Sequence, residues 1–218
     1  MPLLPPRRHL AAAVLLLSGM AAAQAGEVYG SVGLPGLMLG YAQPIAPHFG
    51  VRADFATLGT RTKQTEEEGI HYDAKLNTNR VGLFGDLYPF AGVFRITGGL
   101  TVNNYKMHLD GSGAGGSITV GDNTYPTTAA DGMAVDIKFP RTTPYLGIGW
   151  GHQAESGWRA AFDIGAMFGK LKVTATPRGV LASDAAKADV DKEVAQLRDK
   201  TDQVKFIPQI TLSVGYSF

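Results

Sequence analysis

The chain has no cysteine. That excludes a disulfide framework, a thiolate metal site and a cysteine nucleophile. It also lacks any apolar run near the ~20 residues that a membrane-spanning helix needs. Surplus charge is missing too: Lys and Arg number 20, Asp and Glu 19. Without a basic excess, nothing points to nucleic acid as a partner. No Gly-rich phosphate loop and no calcium loop occurs, so no cofactor or metal is expected.

What is present begins at the N-terminus. Arg7 and Arg8 precede a short apolar run, Leu10–Leu17, and Ala23-Gln24-Ala25 offers a small-x-small cleavage site. This is the pattern of a secretory signal peptide. Residues 1–25 are therefore expected to be the signal and 26–218 a single domain. Without the two signal arginines, the remainder carries 18 basic and 19 acidic side chains.

The last segment decides between a soluble β-sandwich and a membrane barrel. Ile210, Leu212, Val214, Tyr216 and Phe218 fall on one face; Gln209, Thr211, Ser213, Gly215 and Ser217 fall on the other. Successive strand side chains point to opposite faces, so one face is wholly apolar and the other small or polar. This end resembles the C-terminal assembly signal of bacterial outer-membrane proteins, which closes on Phe with an aromatic two residues before. The resemblance implies that the barrel-assembly machinery reads these five residues, with periplasmic chaperones as partners on the way.

The same alternation, bounded by turn signals, predicts strands at 27–33, 36–43, 48–60, 71–88, 94–109, 135–152, 158–175 and 204–218. Tight connections fall at Pro44–His48, Pro89–Val93 and Gln153–Gly157. Long ones fall at Arg61–Ile70, Asp110–Asp131 and Thr176–Gln203. Short periplasmic turns and long outer loops are the asymmetry of outer-membrane barrels. Entry and exit on the periplasmic side need an even strand count, which places a turn at Leu34-Pro35-Gly36. The expected fold is all-β: an eight-stranded antiparallel transmembrane barrel.

Aromatics gather at the short-turn ends. Tyr41, Phe49, Tyr88, Phe94, Trp150 and Trp158 are expected to form an interface girdle, although regular alternation points Tyr88 inward. The other phase collects Arg52, Arg80, Arg95 and Arg159 with Asp54, Asp86 and Asp163. An Arg on the lipid face at mid-membrane costs ~2–4 kcal/mol, so these seven are expected to pair inside. Eight strands enclose a space that side chains just fill. The lumen is expected to be an ionic plug and not a pore.

In the last long loop, Val190, Val194 and Leu197 recur at helical spacing, continuing to Val204, after a candidate cap at Ser183 or Asp184. A short extracellular helix is expected there, over the barrel rim or on a partner. Ile118–Val120, Gly121-Asp-Asn123 and Thr124-Tyr125 suggest a small hairpin. Glu66–Glu68 reads as a solvated loop tip.

Catalytic residues are not evident. His152-Gln-Ala-Glu155-Ser156 reads as a solvated turn. His71 and His108 can both reach the outer rim on neighbouring strands, but two histidines without a third ligand or a placed serine are thin grounds for zinc or a dyad.

Gly50-Val-Arg-Ala-Asp54, Thr143-Pro-Tyr-Leu-Gly-Ile-Gly-Trp150 and Val214-Gly-Tyr-Ser-Phe218 together resemble the OmpA/OmpX-like superfamily of small outer-membrane barrels, above all its single-domain proteobacterial members. The resemblance implies the outer membrane of a Gram-negative bacterium and the assembly route; contact with outer-membrane lipid and lipopolysaccharide, a monomer, and no cell-wall anchoring role of the full OmpA type are expected. The function expected is structural or surface-interactive, through the outer loops. The alternatives are a lipid-modifying enzyme and a narrow channel.

Overall fold

A computed structural model describes residues 26–34, 36–67, 70–113, 115–152 and 156–218. The signal expected at 1–25, the turn residue Pro35 and the centre of the turn at 153–155 lie outside the described residues.

Among the described residues thirteen strands form. They are β1 (Glu27–Leu34), β2 (Gly36–Ala46), β3 (Phe49–Glu67), β4 (Ile70–Leu87), β5 (Phe94–Asn103), β6 (Lys106–Gly113), β7 (Ser117–Val120), β8 (Asn123–Pro126), β9 (Gly132–Lys138), β10 (Thr142–Trp150), β11 (Gly157–Phe168), β12 (Lys172–Arg178) and β13 (Phe206–Ser217). A 3-10 turn at Gly179–Ala182 and helix α1 (Lys187–Asp202) separate β12 from β13.

Eight strands close into an antiparallel ring, β1-β2-β3-β4-β5-β10-β11-β13 and back to β1. Closure rests on β13, which pairs with β1 from Glu27↔Ser217 to Leu34↔Ile210 and with β11 from Gly157↔Ser217 to Phe168↔Phe206. A closed ring leaves no edge strand with unpaired backbone groups.

Three of the eight chain runs break at about one level, at 104–105, 139–141 and 169–171. Backbone bonds carry the ladder across each break: Asn104 N–H donates to Asn79 O (2.8 Å), Phe139 N–H to Tyr105 O (3.1 Å) and Gly169 N–H to Lys205 O (3.0 Å). Beyond the breaks, β6, β9 and β12 continue β5, β10 and β11, joined in order to the upper part of β4. Among the described residues no pairing joins β12 to β13. The ring therefore opens above the breaks into a sheet of β3, β4, β6, β9 and β12.

The sequence pattern inverts at the same level. Below it the outer wall is apolar, with Leu39, Leu83 and Leu212 each more than 60% exposed. Above it, Leu76, Met107, Ile137 and Val173 lie in one cross-strand row, and Ala74, Leu109, Val135 and Ala175 in the next. By strand alternation these rows share the face that points inward lower down. The outward rows there are polar: Lys75, His108, Asp136 and Thr174, for example.

One expected loop is mostly strand. Arg61–Glu67 continues β3 and pairs with β4 up to Glu67↔Ile70. This stretch (RTKQTEE) carries no apolar residue, so hydrophobic alternation cannot reveal it. Its ladder is held by backbone bonds and threonine-rich β-propensity. The hairpin expected near 118–125 is present as β7–β8, with Gly121 at φ +62° in its two-residue turn.

Candidate functional site: the charged lumen and its cap

The lumen is built in layers by the inward-pointing residues of the ring. Nearest the short turns, the backbone brings His152 inside. It sits at φ +59°, a conformation that costs a non-glycine residue on the order of 1–3 kcal/mol. His152 Nδ1 meets Glu27 Oε1 at 2.8 Å, and its ring lies 4.3 Å from that of Tyr29, centroid to centroid. Tyr88 donates its hydroxyl to the His152 carbonyl (2.7 Å). Both sequence expectations here need correction. His152 is 2% exposed, not part of a solvated turn, and Tyr88 is buried, not a girdle member. Alternation on β1 places Glu27, Tyr29 and Ser31 on the inner face, and that is the signal available in the sequence.

Above this layer four side chains close a ring of charge. Arg52 Nε donates to Asp86 Oδ2 (3.1 Å), and Arg95 Nη2 donates to Asp163 Oδ1 (2.5 Å). Arg52 also lies 3.6 Å from Asp163, and Arg95 lies 3.6 Å from Asp86. Each carboxylate thus faces two guanidinium groups. Thr97 Oγ1 donates to Asp86 Oδ1 (2.5 Å), and Arg95 Nη1 donates to the Gly151 carbonyl (2.6 Å). Gly149 makes the space: a Cβ there would stand 2.6 Å from Asp163 Oδ1. All four charged residues are buried, Arg95 completely.

The next layer holds Arg80, which donates to Asp54 Oδ1 (2.7 Å) and to Met38 Sδ (3.4 Å). The guanidinium carbons of Arg52 and Arg80 lie 5.2 and 5.4 Å from the centroid of the Phe84 ring, a cation–π arrangement. A small cavity remains beside Met38, Asp54, Arg80, Phe84 and Gln209. Arg159 is half-buried on β11, opposite Gly215 of β13. Of the seven residues read from the sequence, six therefore meet in two groups, and Arg159 stands nearer the mouth.

A fourth layer is made of apolar groups. Phe84, Tyr105, Phe139, Tyr145 and Met167 form one buried cluster, with Leu171 and Ile207 against it. It sits at the level of the strand breaks. Inward phase alone does not reveal it, because Tyr105 and Phe139 lie in the breaks themselves.

The expected girdle positions Tyr41, Phe49, Trp150 and Trp158 are exposed on the outer wall and Phe94 is half-exposed; Tyr216 and Phe218 of the assembly signal are exposed as well. Trp150 packs 5.5 Å from Phe94 and 6.0 Å from Phe162, and Trp158 packs 5.6 Å from Tyr216. Ile210, Leu212, Val214 and Tyr216 share that outer face of β13, and Phe218, one residue past its end, is exposed too.

No family model matches the chain, and no curated protein matches it in sequence. Among solved structures it is similar to CarO of Acinetobacter baumannii, at TM-score 0.54 and 18% identity, over 90% of this chain and 98% of that one. CarO2 of the same species gives TM-score 0.54 and 16% identity, over 89% and 98%. A major outer membrane protein of Thermus thermophilus aligns at TM-score 0.44 and 12% identity, over 90% and 100%. The fold is that of an outer-membrane β-barrel. At these identities the likeness is one of fold.

The barrel carries a cap at its long-strand end. Ile118 and Val120 of the small hairpin pack with Leu181, Val190 and Val194, against Ile70, Met133 and Ala175 of the open sheet. The helical stripe is thus covered by the chain's own hairpin and sheet. Leu197 is only half-buried and Val204 is exposed. Helix α1 starts later than the Ser183 or Asp184 cap suggests: its N-cap is Ala186, and Ser183 Oγ donates instead to Val180 O (2.6 Å).

Asp189 fastens helix to hairpin. It accepts from Tyr125 Oη (2.5 Å), Asn123 Nδ2 (2.8 Å) and Asp122 N–H (3.4 Å), and Lys192 pairs with Asp122. The Tyr125 hydroxyl, then Asn123, hold the Asp189 carboxyl below the usual carboxylate range. Backbone N–H groups of Thr128 and Val180 do the same for Asp131. A carboxyl depressed on folding adds stability above its unfolded pKa of ~4 and loses it as the pH falls through the folded value. Amide-exchange protection in β7, β8 and α1 is therefore expected to fall as the pH drops from about 5 to about 3. Asp189→Ala is expected to loosen the same amides at neutral pH. Unchanged protection in both experiments would contradict the role given to Asp189.

His71 and His108 are not brought together. His71 pairs with Glu66 and His108 with Asp136. The strand register sets His71 opposite Ser112, four residues from His108, or ~13 Å along the strand. Among the described residues no group of three potential metal ligands occurs.

Proposed function

We propose that this chain is an integral outer-membrane protein whose lumen is sealed, and whose work is done at its outer surface, in a structural or surface-interaction role. The carrying observation is the double blockade of the lumen by the Arg52-Asp86-Arg95-Asp163 ring and, above it, the Phe84-Tyr105-Phe139-Tyr145-Met167 cluster. The apolar outer wall supports placement in lipid. The polar outward rows above the strand breaks support exposure of that end to water.

In this reading the short turns face the periplasm, and the aromatic ends of β2, β3, β5, β10, β11 and β13 sit at the inner interface. Residues 1–25 direct export, the alternating outer face of β13 is what the assembly machinery takes up, and the narrower kinship is with OmpA/OmpX-like barrels. The folded protein is a monomer bathed in outer-membrane lipid and lipopolysaccharide.

The test is electrical. Protein refolded into a planar bilayer is expected to give no steady unitary conductance at neutral pH. Reproducible conductance steps from the folded, heat-modifiable species would overturn the sealed-lumen reading and favour the channel.

A further inference from the structure

The polar outer face above the strand breaks begins with an unusual row. Lys106 of β6 pairs with Lys138 of β9, and Lys138 pairs with Lys172 of β12. Three lysines thus stand side by side on adjacent strands, all exposed. By alternation they share the outer face, because their neighbours Met107, Ile137 and Val173 form the inner row. Arg141, Lys170 and Lys205 lie at the same level, in or beside the breaks, and all three are exposed. The acidic group nearest the row is Asp136, which is 3.5 Å from Lys138 and also engages His108 at 2.9 Å.

Like charges directly opposite each other on neighbouring strands are destabilising. A row of three is retained at a cost unless an anion offsets it. The position says which kind of anion. Each lysine lies four residues beyond the wall position of its own run: Lys106 beyond Val102, Lys172 beyond Phe168 and Lys138 beyond Thr142. Val102 and Phe168 are exposed apolar side chains of the outer wall. Long lysine side chains at such a boundary lay their stems along apolar surface and keep the ammonium groups in water. Basic groups over an apolar wall suit an amphiphile, with acyl chains on the wall and an anionic headgroup on the row.

We propose that the Lys106–Lys138–Lys172 row, with Arg141 and Lys170, is a binding site for the phosphate-bearing headgroup of a membrane lipid. This rests on the membrane reading given above and adds a specific lipid class and a specific side of the barrel, that of β5, β10 and β11. Clustered basic residues at a membrane surface attract anionic lipid.

The test uses the full-length protein folded in zwitterionic detergent. Phosphatidylglycerol or phosphatidylcholine is titrated in, and retained lipid is counted by native mass spectrometry. Wild type is expected to hold phosphatidylglycerol at least about tenfold more tightly than phosphatidylcholine, and K106Q/K138Q/K172Q is expected to lose that preference. Removing Arg61, Lys63 and Lys75, cations higher on β3 and β4, is expected to leave it intact. Inorganic phosphate at equal concentration should not displace the lipid; displacement would assign the row to a free anion and overturn the proposal.

A preference surviving in the triple variant, or equally lost in the control, would overturn it too. Folding is monitored by heat-modifiable mobility, and K138Q alone serves should the triple variant fold poorly. In lipid-free detergent, neutralising the row should raise the unfolding midpoint. Failure of wild type to insert into phosphatidylcholine vesicles would instead count against the membrane reading itself.

Discussion

Replacing Arg95 by Met is expected to destabilise the folded barrel by about 3–5 kcal/mol, because it strips a buried charge network of one member. Arg95 is wholly buried, and its guanidinium serves Asp163, Asp86 and the Gly151 carbonyl at once. Without it, Asp163 keeps only the longer 3.6 Å approach of Arg52. The loss is thus mainly that of leaving carboxylates buried beside too little positive charge. The double variant Arg95→Met/Asp163→Leu is then expected to recover part of the stability, since both partners leave together. Urea unfolding followed by the fluorescence of Trp150 and Trp158 would measure both. Additive losses in the two single variants, with no recovery in the double, would show that the four charges do not act as one ring.

The second large effect concerns the wall. Leu212→Arg, at a site 61% exposed midway along β13, is expected to cost about 2–4 kcal/mol in a lipid bilayer. Thr174→Arg, on the outward face of β12 above the breaks, is expected to change stability by less than about 0.5 kcal/mol. A soluble barrel would tolerate both, because each site faces outward. Equal tolerance in vesicles would therefore remove the membrane reading, whatever the lumen does. The contrast also bears on the water boundary, since the two outward positions lie on opposite sides of the strand breaks.

The barrel's register is legible because side chains alternate with a period of two, and lipid demands that one phase be apolar throughout. That constraint marks the last strand from Ile210 onward and, read backwards, sends Arg52, Asp86, Arg95 and Asp163 to the axis. It fails where lipid no longer acts on the strand. Arg61–Glu67 is as much a strand as Val51–Phe55, but in water both its faces can be polar, and the hydrophobic signal disappears. His152 escapes it for a different reason. Its sequence neighbours are those of an exposed turn, and only a left-handed backbone at φ +59° turns its ring inward against Glu27, a residue 125 positions away.

The amino-acid sequence by itself determined the closed all-β architecture, the even strand number, the apolar outer wall and the charged interior. It could do so because each follows from a local alternation under a single solvent constraint. Tertiary structure alone decided which charges close a ring, that a buried aromatic cluster gathers above them, that the loops fold back as a cap, and that three lysines meet in one row. These depend on strand pairing between residues distant in the chain, and no local pattern encodes which residues neighbouring strands set side by side.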